Sequence, residues 1–195
     1  WGASTTATAV PSMGPCINPH FPSTMRTVVI TGSNRGIGAA VARRLIDQGH
    51  QLCLAVRDPE ALLGTDLDPA QAPARLMSCP YDARVPENAQ RVVEATLNRF
   101  GSLDTLIHCA GILRRTPLLF SDEQRSEPDE LWKVNVMGPW WLTRAAWPAL
   151  VDSGRGRIQV LVSMSGKRSK GSLAGYTASK FALMGLCQTM RNEGW

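Results

Sequence analysis

A chain of 195 residues is long enough for one domain with a real hydrophobic core. Its 44% hydrophobic and 19% charged content is ordinary for a globular protein, and no apolar run reaches the ~20 residues a membrane span needs. The net charge of +5 is too mild to mark a nucleic-acid binder, no base-reading motif accompanies it, and it suits attraction of a small anionic ligand.

Residues 1–24 contain no Lys or Arg and no apolar h-region, which argues against a secretory or mitochondrial leader. Rich in Thr, Ser, Pro and Ala, they are expected to be disordered, with Met25 as the natural start and one domain over 25–195. From Thr27 onward apolar runs alternate with amphipathic stretches. Strands are expected at TVVIT (27–31), QLCLAV (51–56), RLMSC (75–79), DTLIHCA (104–110) and RIQVLVS (157–163), several apolar throughout, as in parallel strands buried on both faces. The first helix, GIGAAVARRLIDQG, carries a stripe of Ile37, Val41 and Leu45; the second, PENAQRVVEATLNRFG, carries a looser one of Val92, Ala95 and Leu97. Asp58 and Pro59 suit the cap and first turn of a short helix, and Gly49 and Gly101 suit left-handed helix ends. In the third helical stretch, DELWKVNVMGPWWLTRAAWPALVDSG, Pro139 and Pro148 should kink or end the helix. A last helix is expected from Tyr176 to Leu186.

This alternation predicts a Rossmann-type, doubly wound parallel sheet in a three-layer α/β/α arrangement, with ligands beyond the carboxyl ends of the strands. TGSNRGIG (31–38) stands where such a sheet binds a dinucleotide. Gly32, Gly36 and Gly38 permit a tight turn and close approach of backbone N–H groups to a pyrophosphate at a helix start, with Ser33, Asn34, Arg35 and Ile37 in the same loop. The second strand ends in Val56 and Arg57, where a free ribose 2′-hydroxyl favours an acid and a 2′-phosphate favours arginine. Arg57 and Arg35 therefore point to NADP(H) in preference to NAD(H), with Asp58 as the carboxylate that a register shift would bring to the ribose.

GYTASKFALMG raises a second chemistry. Tyr176 and Lys180 are one helical turn apart and share a face, which places an ammonium near a phenol. A phenol titrates near ~10, and a nearby cation favours its ionised form, making it a usable acid/base. The plain alternative is an amphipathic helix with a solvated lysine. The five cysteines show no metal-ligand spacing; Cys53, Cys79 and Cys109 sit in or beside apolar runs as small core residues, which suits a reducing, cytoplasmic location.

TGSNRGIG, YDA (81–83), HCAG (108–111), VNV (134–136), VSMSG (162–166) and YTASK (176–180) occur in an order that resembles the short-chain dehydrogenase/reductase family, in its compact single-domain branch, over residues 25–195. The resemblance implies an NAD(P)-dependent oxidoreductase acting on a small carbonyl or alcohol substrate. It implies Tyr176 as acid/base, Lys180 as its electrostatic partner, Ser163 as the serine that holds the reacting oxygen and Asn135 as the asparagine that orders a water in the proton relay. It also implies Asp82 beside the adenine ring and backbone contact from Ala110 and Gly111. His108 and Cys109 depart from the asparagines usual in this motif, so the sheet-bracing bonds those make are not expected, and His108 and His50 read as structural. GKRSKGSLAG (166–175) is expected to rim the substrate mouth; Lys167, Arg168 and Lys170 there either favour an anionic substrate or, as the commoner reading, are solvated loop charge, and Leu118, Leu119 and Phe120 either line the mouth or pack. Trp132, Trp140, Trp141 and Trp147 suggest an apolar contact surface; the stretch 131–150 with the last helix is expected to join subunits into a homodimer or homotetramer, as family members commonly do. Such members continue past MRNEGW into another strand, a substrate-covering loop and a final strand. The fold is therefore expected to be incomplete at its C-terminus, and the alternative function is a non-catalytic dinucleotide-binding or interaction module.

Overall fold

A computed structural model describes residues 25–169 and 171–194; the expectations for residues 1–24 and for Lys170 lie outside it. Five parallel strands, β1 (Thr27–Thr31), β2 (Gln51–Val56), β3 (Leu76–Pro80), β4 (Thr105–His108) and β5 (Arg157–Val160), form one sheet in the order β3-β2-β1-β4-β5. Its two faces are covered by different helices. Val28, Ile30, Leu52, Leu54, Val56 and Ile107 pack beneath α1 (Gly36–Asp47), while Val29, Cys53, Ala55 and Leu106 pack against α2 (Pro86–Phe100) and α4 (Gly138–Asp152). Burial on both faces is why β1 and β2 are apolar without alternation. α5 (Ala174–Glu193) lies against α3 (Glu127–Trp132) and the π-helical turn Lys133–Met137 that joins α3 to α4. The strand order places the reversal between β1 and β4, so the carboxyl ends of those two strands flank the ligand crevice expected of such sheets.

Three expectations change. The stripe Ile37, Val41 and Leu45 holds only in part: Val41 and Leu45 pack against the core beside the buried Ala39 and Ala42, but Ile37 is 65% exposed and Gly38 is buried in its place. Small residues are needed there because the helix start packs directly on the glycine turn. Pro148 neither ends nor breaks α4. It lies on the exposed side with Arg144, so the carbonyl that loses its N–H partner faces water, while Leu142, Ala146 and Leu150 keep the helix on the sheet. β4 and β5 are also shorter than their apolar runs, because the chain leaves the sheet at Cys109 and at Leu161. As expected, Asp58 caps a single 3₁₀ turn at Pro59–Leu62, and Gly49 and Gly101 adopt left-handed conformations.

At the opposite end of the strands a polar fastening closes the sheet. The buried Asp104 carboxylate accepts from Thr27 N (2.8 Å) and from Arg155 Nε and Nη2 (3.0 and 2.9 Å). Arg26 donates to Arg155 O (2.9 Å) and Thr105 Oγ1 (3.4 Å). A buried carboxylate is tolerated only when paired in this way. No described helix is long and apolar enough to cross a membrane.

Candidate active site

The loop between β1 and α1 is shaped by what it excludes. A side chain on Gly38 would stand 2.4 Å from Gly32 O, and one on Gly32 would stand 2.9 Å from the Ala110 backbone. Gly36, at φ +56°, faces open space. The first intrahelical bond of α1 is Ala39 N to Arg35 O (3.3 Å), so the N–H groups of Gly36, Ile37 and Gly38 project from the helix start. No side chain caps this start, and its first turn holds no acidic residue. An unneutralised helix N-terminus of this kind attracts an anion.

A cleft of about 700 Å³ opens above this turn. Gly32, Asn34, Arg35, Gly36, Ile37 and Gly38 form its floor; Arg57 and Asp82 stand at one end, and Ala110 and Gly111 line the other. Ser33 is the exception among the loop candidates: it is fully buried, and its hydroxyl turns inward to Ile30 O (3.4 Å). Asp58 is held as a cap by Glu60 N (3.1 Å), so its carboxylate is already engaged. Asp82 is gripped by Arg84, whose Nη2 lies 2.5 Å from Oδ2; that bonding, with Arg57 nearby, holds the Asp82 carboxyl below the usual carboxylate range. Nothing in the sequence marks Arg84, two places from Asp82, as its partner.

HCAG is braced without asparagines. Thr31 Oγ1, at the end of β1, accepts from Cys109 N (3.1 Å) and Ala110 N (3.0 Å), which fixes this segment against Gly32. His108 is buried, and its Nε2 pairs with Thr143 Oγ1 of α4 at 3.0 Å; burial pushes its pKa down to about 3, so it is neutral at pH 7.

Asn135 and Lys180 approach Gly111, which lines the cleft, and Tyr176 neighbours Lys180. Lys180 is buried, and its Nζ donates to Leu161 O (3.4 Å), a cleft-lining residue. The same Nζ lies 3.6 Å from where a Gly111 side chain would begin and 5.7 Å from the centre of the Tyr176 ring. Tyr176 and Lys180 therefore share a face, as the four-residue spacing predicts. Burial holds the Lys180 ammonium below the usual lysine range, with a weaker opposing influence from Cys187. Ser163 begins the turn Met164–Gly166, and its Oγ accepts from Ser165 N (3.1 Å), which leaves the hydroxyl proton free to donate. Gly166 lets this turn press on α5: a Cβ there would lie 2.9 Å from Lys180 O. Asn135, in the π-helical turn, carries a fully satisfied side-chain amide. Its Oδ1 accepts from Ile112 N (2.9 Å), and both Nδ2 hydrogens are taken, by Ile112 O and Ser179 Oγ (3.0 Å each). Its side chain braces the loop after β4.

A family model described as short chain dehydrogenase matches residues 26–194. The chain is 34% identical over 171 residues to an agropine synthesis reductase of Rhizobium rhizogenes, covering 86% of this chain and 38% of that protein. It is 30% identical over 167 residues to a sorbitol dehydrogenase of Cereibacter sphaeroides, covering 84% and 62%. Among solved structures, a short-chain dehydrogenase from Streptomyces avermitilis superposes with a TM-score of 0.79 at 28% identity, over 87% of this chain and 61% of that one. A glucose/ribitol dehydrogenase-type protein from Brucella melitensis does so at 0.77 and 31% identity, over 86% and 69%. The chain thus spans well under half the length of the agropine synthesis reductase it matches. With the match covering nearly every described residue and the sheet superposing on solved members, the chain belongs to the short-chain dehydrogenase family.

Proposed function

We propose that the chain carries the cofactor cleft and catalytic residues of an NADP(H)-dependent oxidoreductase that interconverts a small carbonyl compound and its alcohol. The observation that carries this reading is the buried Lys180 ammonium, 5.7 Å from the Tyr176 ring at one end of the cleft. A pure binding module has no use for a desolvated cation held beside a phenol.

The cleft fits the cofactor: a floor without side chains at Gly36, a helix start without an acid, and cations at the far end. The N–H groups of Gly36, Ile37 and Gly38 would hold the pyrophosphate, and Arg35 and Arg57 a 2′-phosphate. Asp82 would stand at the adenine side, and the Ala110–Gly111 backbone with Lys180 at the nicotinamide ribose. The capture of Asp58 as a cap favours NADP(H) over NAD(H). When bound, the nicotinamide supplies or accepts the hydride. Tyr176 gives its proton to the carbonyl oxygen in reduction and takes it back in oxidation, and Lys180 stabilises the negative charge left on the phenol oxygen. Ser163, its proton uncommitted, donates to the carbonyl oxygen as charge develops there. Asn135 holds the Ile112 loop in register with α5.

Trp132, Trp140 and Phe181, each about half exposed on α3, α4 and α5, support a homodimer or homotetramer formed through these helices. The free, buried thiols of Cys53 and Cys79 suit a cytoplasmic, reducing location. NADPH consumption against ketones, aldehydes, quinones and 3-ketoacyl thioesters tests the reading. Turnover should fall by about 10²–10⁴-fold in Tyr176→Phe, with cofactor binding retained. Wild-type turnover in that variant would refute the assignment of Tyr176.

A further inference from the structure

Ser179 lies between the tyrosine and the lysine and reads in the sequence as a spacer. The fold makes it a junction. It is 1% exposed, and its hydroxyl donates to Tyr176 O at 2.7 Å while accepting from Asn135 Nδ2 at 3.0 Å. A serine that only bonds back to the carbonyl three residues earlier is a common helix filler. Here the oxygen is also an acceptor, and its donor leads to the other side of the site. The same Nδ2 bonds Ile112 O, and Oδ1 of that amide bonds Ile112 N. Ile112 follows Gly111, whose missing side chain leaves room for both Asn135 Oδ1 (3.4 Å) and Lys180 Nζ (3.6 Å). One buried polar chain therefore joins the loop after β4, the π-helical turn and the first turn of α5. It ends on the carbonyl that the Lys180 N–H also serves in an α-helix.

Resting on the catalytic reading above, we propose that Ser179 is a positioning residue: it fixes the Tyr176–Lys180 turn relative to the cleft by tying it to Asn135. Without the hydroxyl, the Asn135 amide loses an acceptor, and the turn loses its side-chain bond to Asn135 and, through that amide, its tie to the loop after β4. The effect falls on the alignment of the phenol and not on the cofactor floor, which Ser179 does not line.

The full chain with Ser179→Ala and Ser179→Thr is compared with wild type by kinetics, thermal melting and carbon-13 tyrosine Cζ spectra. The chain has two tyrosines, so Tyr81, buried against Gly138 O (3.1 Å), is the internal reference. In Ser179→Ala, kcat should fall by about ten- to a hundredfold, the order expected for a misplaced reacting group. KM for the cofactor should change by much less than kcat, because the pyrophosphate floor is untouched and only the Lys180 contact moves with the turn. The Tyr176 signal should move and the Tyr81 signal stay, and Ser179→Thr, which keeps the hydroxyl, should return both kcat and the signal toward wild type. Where Ser179→Ala melts too low to assay, Ser179→Cys is read the same way. An unchanged kcat with an unmoved Tyr176 signal overturns the proposal, whatever the melting temperature does. Should wild type reduce no carbonyl tried, the enzymatic reading fails and the spectra alone decide: a moved Tyr176 signal upholds the positioning role, and an unmoved one overturns it.

Discussion

Lowering the pH from 7 to 5 should weaken the fold, with His108 as the main cause. The imidazole is buried at the end of β4 and paired with Thr143 Oγ1, and burial lowers its pKa from 6.5 to about 3. Unfolding returns it to water and to the ordinary value. Below pH 6.5 the unfolded chain thus binds a proton that the folded chain refuses, and stability falls with pH until about 3. At pH 5 the unfolded imidazole is 1.5 units below its pKa while the folded one remains neutral, a difference of about 2 kcal/mol relative to pH 7. For a domain of this size that is roughly 4–8 °C in Tm. Melting and urea titrations at pH 7, 6 and 5 measure it, with His108→Asn as the comparison, since an amide can still bond Thr143 but does not titrate. His50, also lowered by burial, acts in the same direction in both proteins and cancels in the difference. The depressed carboxylates Asp66 and Asp82 lose their contribution only at lower pH. The wild-type stability should drop more steeply than that of the variant; parallel lines would refute the reasoning.

Two further outcomes test the cofactor end. Arg57→Ala should raise the apparent Kd for NADPH by about tenfold or more, the scale of a lost charged hydrogen bond, and barely alter that for NADH, as read by cofactor fluorescence; equal effects would remove the basis for NADP(H) preference. Gly38→Ala should push α1 off the glycine turn, because the new Cβ would lie 2.4 Å from Gly32 O. The expected cost is about 1–3 kcal/mol of stability together with weaker binding of both cofactors, and an unchanged Tm would show that the turn relaxes freely.

What the sequence reveals depends on whether a feature is local. β1 and β2 are legible to the residue because strands buried on both faces must be apolar throughout and are bounded by Thr31 and Arg57. The glycine turn and the Tyr176–Lys180 face follow from spacing within one loop and one helix. β5 is read too long because it is half exposed, and its apolar run continues into the turn that carries Ser163. Only the start of α1 is misread, because periodicity favours a large side chain at Ile37, whereas the close contact of Gly38 with Gly32 demands a small one. The pairing of His108 with Thr143 spans 35 residues and that of Asn135 with Ser179 spans 44, so neither leaves a local trace. The π-helical turn that aims Asn135 has no sequence pattern of its own.

The Asp104–Arg155–Arg26 cluster and the cleft occupy opposite rims of the same five strands. Rigidity is therefore anchored far from where selectivity is decided. Loops on the upper rim can be exchanged to suit new guests without loosening the foundation, which makes this architecture forgiving material for redesign.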